Sequence, residues 1–134
     1  MSGLLVNIDV EDLAQATRFY CEALGVQVGR RFDGWIELVG AAAPIYLLPK
    51  AAGTAASPKS GEKRHYSRHW TPVHLDFVVD DIEQALSRAR KAGATVESEV
   101  QDHPYGRLAL LADPFGNGFC LLQFTGRGYD EIAK

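Results

Sequence analysis

The chain has 134 residues, 46% of them hydrophobic, which is enough for a single domain over 1–134 with a real core. Its 14 basic and 17 acidic residues are scattered and leave a net charge of −3, so no cationic face offers itself to a phosphate backbone, and nucleic acid is not an expected partner. No apolar run nears the roughly 20 residues of a bilayer span, Met1-Ser2-Gly3 leads straight into a strand-like segment without a basic leader, and two cysteines are too few for a disulfide framework; a cytoplasmic, membrane-free protein with reduced thiols is expected.

Taken in chain order, apolar residues alternate at Leu4, Val6, Ile8 and Val10, the period of a half-buried strand. The acidic pair Glu11-Asp12 follows, with Asp12 suited to cap a helix and Gln15 three residues on. Leu13, Ala16, Tyr20 and Leu24 then share one helical face, Cys21 reads as a small filler on that helix, and Gly25 stops it. Strands are expected at 26–31, 34–38 and 45–48. Between Lys50 and Arg68 the chain holds Gly53, Pro58, Gly61 and many small or charged residues, which marks 50–69 as a linker or a flap.

The same order then begins again. Val73, Leu75, Phe77 and Val79 alternate; Asp80-Asp81 precedes Gln84; Ile82, Ala85, Leu86 and Ala89 form a helical face; Gly93 ends it. Strands are expected at 94–100, 106–110 and 119–122, the last introduced by the turn formers Asp113-Pro114-Phe115-Gly116-Asn117. Two helices among strands would describe many α+β domains, but recurrence of every feature in the same order points to duplication: a first βαβββ module over 4–49 and a second over 70–125.

Val73-His74-Leu75-Asp76-Phe77-Val78-Val79-Asp80-Asp81-Ile82 and Asp113-Pro114-Phe115-Gly116-Asn117-Gly118-Phe119-Cys120-Leu121-Leu122 resemble the vicinal oxygen chelate superfamily, which includes glyoxalases, bleomycin-resistance proteins and extradiol dioxygenases. The resemblance implies an α+β fold in which two tandem βαβββ modules build an eight-stranded open cup with the helices outside, and it implies a homodimer. It leaves the activity open, because this cup serves lyases, isomerases, dioxygenases and drug-sequestering proteins alike. Metal-bearing members take one ligand from the first strand and one from the last strand of each module. Here those positions align with Leu5, Tyr46, His74 and Cys120, of which only His74 is a strong ligand, so no metal or other cofactor is expected in the customary place.

Residues two apart on a strand share a face, so Leu5, Asn7 and Asp9 point away from the helices, as do His74, Asp76 and Val78. A displaced metal set of His74, Asp76 and Asp9 is the alternative that this spacing leaves open. By the same alternation Trp35 and Glu37 share a face, and the repeat sets Arg107 opposite Trp35. The expected ligand-binding wall therefore holds Asn7, Asp9, Trp35, Glu37, Tyr46, Arg107 and Cys120, and His74 with Asp76 forms the expected catalytic pair, a general base if a substrate presents an acidic proton.

Such a wall suits a small polar or aromatic ligand, with three carboxylates favouring a cationic guest and Trp35 or Tyr46 offering cation–π contact. His65, Tyr66 and His69 lie where the 50–69 segment meets the second module, as a solvated stretch or as a flap over the cup. His103-Pro104-Tyr105 reads as a turn or a second rim element, and Gly126 to Glu131 as a loop with a short helical end. Two functions fit: a metal-free module that binds or sequesters its ligand, or an enzyme of the same superfamily working through His74 and Asp76 or through a displaced metal.

Overall fold

Both helices are set by the capping residues seen in the sequence. In the computed structural model, which describes residues 1–134, Asp12 accepts a hydrogen bond from the Gln15 amide at 2.9 Å and Asp81 one from the Gln84 amide at 3.1 Å. At the other ends Gly25 and Gly93 adopt φ of 71° and 118°, which a side chain would resist. The resulting order is β1 (Val6–Val10), α1 (Leu13–Leu24), β2 (Gln27–Arg31), β3 (Ile36–Val39), β4 (Ile45–Pro49), β5 (Leu75–Val78), α2 (Ile82–Ala92), β6 (Thr95–His103), β7 (Gly106–Ala112) and β8 (Gly118–Phe124), then one 3₁₀ turn at Gly128–Glu131. No helix is long and apolar enough to cross a membrane.

The eight strands form two open four-stranded sheets of identical topology, β1-β4-β3-β2 and β5-β8-β7-β6. In each, the first strand of the module lies parallel to the last and the others are antiparallel. The strand expected from Leu4 begins only at Val6, whose amide donates to the Pro44 carbonyl as β4 starts; Leu4 and Leu5 run past the partner strand and stay exposed. β1 and β5 are thus edge strands with one unpaired side each.

Alternation delivers one face of each sheet to a common core. Val10, Leu38, Ile45 and Leu47 from the first module join Ile82, Leu111 and Leu121 from the second in a single cluster of 19 buried residues. The two helices pack on each other, where the buried Ala16, Ala23, Ala85 and Ala89 leave room for close approach, and Arg88 Nε donates to the Ala23 carbonyl at 3.3 Å. Phe19 on α1 meets Phe119 on β8 edge to face, with ring centroids 6.3 Å apart.

The segment between the modules has no helix or strand but is docked. A bridge between Ala55 and Lys63, with amide hydrogen bonds from Gly53 to the Arg64 carbonyl and from Arg64 to the Thr54 carbonyl, both 2.8 Å, folds it back on itself. The Tyr66 ring then packs edge to face on Phe115 at 6.2 Å.

Candidate functional site: a cleft between the two edge strands

The unpaired edges of β1 and β5 border an open cleft of about 870 Å³, roofed by the segment from Glu62 to Thr71. Asn7, Asp9 and His74 line it, and Tyr66, His65 and His69 line it from the roof. What alternation did not reveal is Arg64. Its Nε donates to Asp9 Oδ2 at 2.7 Å and its Nη1 to the Ala55 carbonyl at 2.9 Å, so the Asp9 carboxylate is already neutralised by the roof. The only sequence signal was a basic run, Lys63-Arg64, of a kind usually found on solvated loops.

The turn between β7 and β8 holds the roof in place. Asp113 is buried, and its carboxylate accepts four hydrogen bonds: from Tyr20 Oη on α1 at 2.5 Å, from the Phe115 and Asn117 amides at 2.8 and 2.9 Å, and from Asn117 Nδ2 at 3.0 Å. Burial in this place, with the Asp113 charge beside it, pushes the Tyr20 hydroxyl well above its usual pKa. Asn117 Oδ1 in turn lies 3.0 Å from His69 Nε2, while His69 Nδ1 is 2.9 Å from the Ser67 carbonyl oxygen. One polar chain thus ties α1 of the first module, the turn of the second and the roof together, and the Asp113 to Asn117 stretch is first of all an architectural device.

On the first sheet, Glu37, Tyr46 and Trp35 come together. Tyr46 Oη donates to Glu37 Oε2 at 3.0 Å, and the Trp35 and Tyr46 rings lie 5.7 Å apart. Arg30 and Phe32, which alternation alone did not place here, complete the group. Arg30 clamps the carboxylate through Nε, Nη2 and its own amide at 3.1, 2.6 and 3.1 Å, and Phe32 stacks on Trp35 at 3.9 Å. A register shift between Val28 and Arg31 puts Arg30 in reach. Gly29 allows the fit, because a Cβ there would stand 2.7 Å from Glu37 Oε1. These residues line neither of the two cavities described here.

Hydrogen bonds from the Arg30 side chain and amide hold the Glu37 carboxyl down at about 2, against an ordinary 4.5. Since the folded state favours the ionised form, this contribution to stability is complete above about pH 4.5 and is lost as the pH falls toward 2. Acid unfolding followed by circular dichroism should therefore show a component in that window which Glu37→Gln removes. Superimposable acid profiles would sink the assignment.

On the second sheet His74, Asp76 and Cys120 form a third group. His74 Nε2 is 3.1 Å from Asp76 Oδ1, Asp76 and Cys120 are register partners on β5 and β8, and one ligand-capable atom from each of the three lies within 4.8 Å of the others. His74 borders both the large cleft and a smaller hollow of about 190 Å³ that also contains Cys120, Glu97 and Arg68. Burial, then the Asp76 charge, pushes the Cys120 thiol up to about 11, so it is no nucleophile at neutral pH.

Arg107 is placed differently from expectation. On β7 it alternates with Ala109 and Leu111, both in the core cluster, so it points to the helix side, where Nη2 meets Glu83 of α2 at 2.7 Å and Nε meets Asp102 at 3.0 Å. The repeat suggested an equivalence with Trp35, but Trp35 precedes β3 whereas Arg107 lies inside β7, and that offset reverses the face. Two of the three wall carboxylates are not free to attract a cation, since Asp9 and Glu37 each have an arginine in contact. The four-position metal set of the superfamily does not fit these residues: Leu5 has no donor atom and the Tyr46 hydroxyl is engaged by Arg30 and Glu37. The displaced set with Asp9 is not formed either, because Asp9 turns to Arg64.

With this geometry established, the model of the glyoxalase-like domain matches residues 5–122. The chain belongs to the glyoxalase-like domain family. Among curated relatives, the anthracycline biosynthesis protein DauV of Streptomyces sp. (strain C5) is 31% identical over 123 residues, covering 88% of this chain but only 40% of DauV. The glyoxalase-like chain thus spans two fifths of that relative. Of solved structures, the fosfomycin resistance protein FosX from Listeria monocytogenes superposes with a TM-score of 0.74 at 17% identity over 99% of both chains. TnmS3, an antibiotic binding protein from Streptomyces sp. CB03234, gives 0.66 at 23% identity over 93% of this chain and 97% of its own. At such identities the two structures establish the shared fold.

Proposed function

We propose that this glyoxalase-like chain binds, and by binding sequesters, a small polar or aromatic organic molecule in the cleft between β1 and β5. The observation that carries this reading is the cleft itself: about 870 Å³, within the roughly 300–1,000 Å³ typical of ligand sites, and lined in about equal parts by apolar or aromatic side chains and by polar or charged ones. Asn7, His65 and His74 offer hydrogen bonds, while the roof residues Tyr66 and Trp70 offer ring surface. Because Asp9 is paired, a cationic guest is not required. The names of DauV and TnmS3, which concern anthracycline biosynthesis and antibiotic binding, support a fused-ring aromatic compound as the first candidate. Titrating the protein into an anthracycline, whose ring system is fluorescent, should quench or shift its emission saturably, and His74→Ala should weaken the effect only modestly. An emission that never saturates at high protein concentration would defeat the reading.

A second reading rests on the 3.1 Å contact between His74 and Asp76, which orients an imidazole at the cleft as a general base is oriented. It predicts that His74→Ala abolishes turnover while binding is retained.

The proposed partner, besides the ligand, is a second copy of the chain. Leu4, Leu5, Trp70 and Val73 line the cleft with large exposed apolar side chains beside two open strand edges, and a second copy seated over the rim would cover them and narrow the opening. Sedimentation velocity should give a dimer for the wild type and a monomer for Leu5→Glu combined with Trp70→Glu; a monomeric wild type overturns the assignment.

A further inference from the structure

We propose that His69 latches the roof of the cleft through a proton: the doubly protonated imidazole holds the 62–71 segment down, and loss of one proton loosens it. Both ring nitrogens face oxygens that can only accept. Nδ1 lies 2.9 Å from the Ser67 carbonyl oxygen and Nε2 lies 3.0 Å from Asn117 Oδ1. The Asn117 amide is not free to turn and offer its NH2 group instead. Its Nδ2 already donates to Asp113 Oδ2 at 3.0 Å and to the Asp9 carbonyl at 3.4 Å, and a turned amide would set its oxygen against both. A neutral imidazole carries one N–H, so one of its two contacts would oppose lone pairs, whereas the imidazolium donates in both directions.

The surrounding charges favour the same form. Asp113 is buried, and all four hydrogen bonds to its carboxylate come from uncharged donors, so a cation on His69 stands just across Asn117 from a charge that has no ion pair. Tyr20 of α1, which also faces that carboxylate, is held neutral. Arg64 is taken up by Asp9 of β1 and Arg68 by Glu97 of β6, while Glu62, Lys63 and His74 border the same cleft. The neighbour that would oppose a charge is His65, whose ring centroid lies 5.3 Å from that of His69. Its Nδ1, however, meets the Ser67 hydroxyl at 2.8 Å, a group that donates as readily as it accepts, so His65 is satisfied uncharged.

Position gives this proton its leverage. The His69 amide donates to the Gly116 carbonyl at 3.2 Å, its carbonyl accepts from Arg68 Nη1, and its ring joins the roof to the turn between β7 and β8 through Asn117. Because the closed roof favours the protonated ring, the latch is complete on the acid side of the histidine range and is lost as the pH rises through it. The Glu37 transition lies below about pH 4.5 and does not overlap. The latch acts on the chain's own roof and holds whether or not the cleft takes an organic molecule; where it does, the proton-bound form is the one that retains it.

Amide hydrogen exchange of the ligand-free protein, corrected for the intrinsic pH dependence of exchange, tests the latch. Protection across 62–71 should be roughly tenfold greater or more at about pH 5.5 than at about pH 8, the scale of one hydrogen bond to a charged group, with protection in α1 and β8 unchanged. His69→Gln, which keeps one donor toward Asn117 but does not titrate, should flatten this profile, and His65→Gln should leave it as in the wild type. A second readout needs no variant. In nitrogen-15 spectra of the wild-type imidazoles, both His69 nitrogens should carry protons at the acid end, and loss of one should coincide with loss of roof protection. Equal protection at the two pH values, a pH dependence that survives His69→Gln or disappears with His65→Gln, or deprotonation of His69 with no change in the roof would overturn the latch. A failure of anthracycline binding to saturate defeats the cleft reading alone and leaves these outcomes untouched.

Discussion

Asp113→Ala is expected to destabilise the protein by about 3–5 kcal/mol, the range for removing one member of a buried charged network. The carboxylate takes hydrogen bonds from Tyr20, from two backbone amides and from Asn117, and every one of these donors loses its partner, the Tyr20 hydroxyl and the Phe115 amide in a buried place. The midpoint of thermal unfolding should fall by roughly 10–20 °C for a chain of this size. Tyr20→Phe deletes a single hydrogen bond of the four and should cost about 1–3 kcal/mol, chiefly as a buried acceptor left short of one partner. Urea unfolding of both single variants and of the double variant gives the coupling energy. A drop below about 1 kcal/mol for Asp113→Ala would show that the turn is held by something other than this network.

Gly116→Ala should unseat the roof of the cleft. Gly116 has φ of 81°, where a side chain is resisted at about 1–2 kcal/mol. Its new Cβ would also stand 2.2 Å from the Ser67 carbonyl oxygen and 2.6 Å from the carbonyl carbon, both backbone atoms that cannot swing aside. The same glycine accepts the His69 amide through its carbonyl at 3.2 Å, so any shift that relieves the clash breaks the docking contact. The expected loss is about 2–4 kcal/mol, together with faster tryptic cleavage at Lys63, Arg64 and Arg68. Binding in the cleft should weaken in parallel. If the variant keeps both its stability and its resistance to trypsin, the roof is not fixed at this point.

The glycine contrasts with the other legible features of the turn. Its position in Asp113-Pro114-Phe115-Gly116-Asn117 announces a chain reversal, and local sequence says that much because turn chemistry is decided by the residues themselves. That the reversal is also the anchor for a segment about fifty residues earlier depends on contacts made only after both modules have folded. The same holds for Tyr20. It was readable as a core-facing helix residue from its period, yet its hydroxyl's partner lies 93 positions away.

Charge was the quantity read least well. Three carboxylates on expected wall positions suggested attraction for a cation, but Arg64 reaches Asp9 across 55 residues and Arg30 reaches Glu37 through a bulge in β2. Charged side chains are long and tolerate many neighbours, so their spacing in sequence carries little information on who pairs with whom, whereas short apolar side chains must alternate to be buried at all. Arg107 shows the limit of alternation itself: a shift of one residue in where a strand begins sends a side chain to the opposite face.

Legible in the residues were the duplication, the two capped helices with their glycine stops, the succession of strands along each module and the outward faces of β1 and β5. Each of these follows from local periodicity and backbone preference, which act over a few residues. Contacts between distant segments, by contrast, placed the 62–71 segment over the cleft and set arginines against Asp9 and Glu37. Strand pairing, too, set Cys120 beside Asp76, with one polar atom of each and of His74 within 4.8 Å of the others. Those outcomes depend on strand register and on contacts between distant parts of the chain, which are fixed by the packing of the whole core and are written in no single stretch of it.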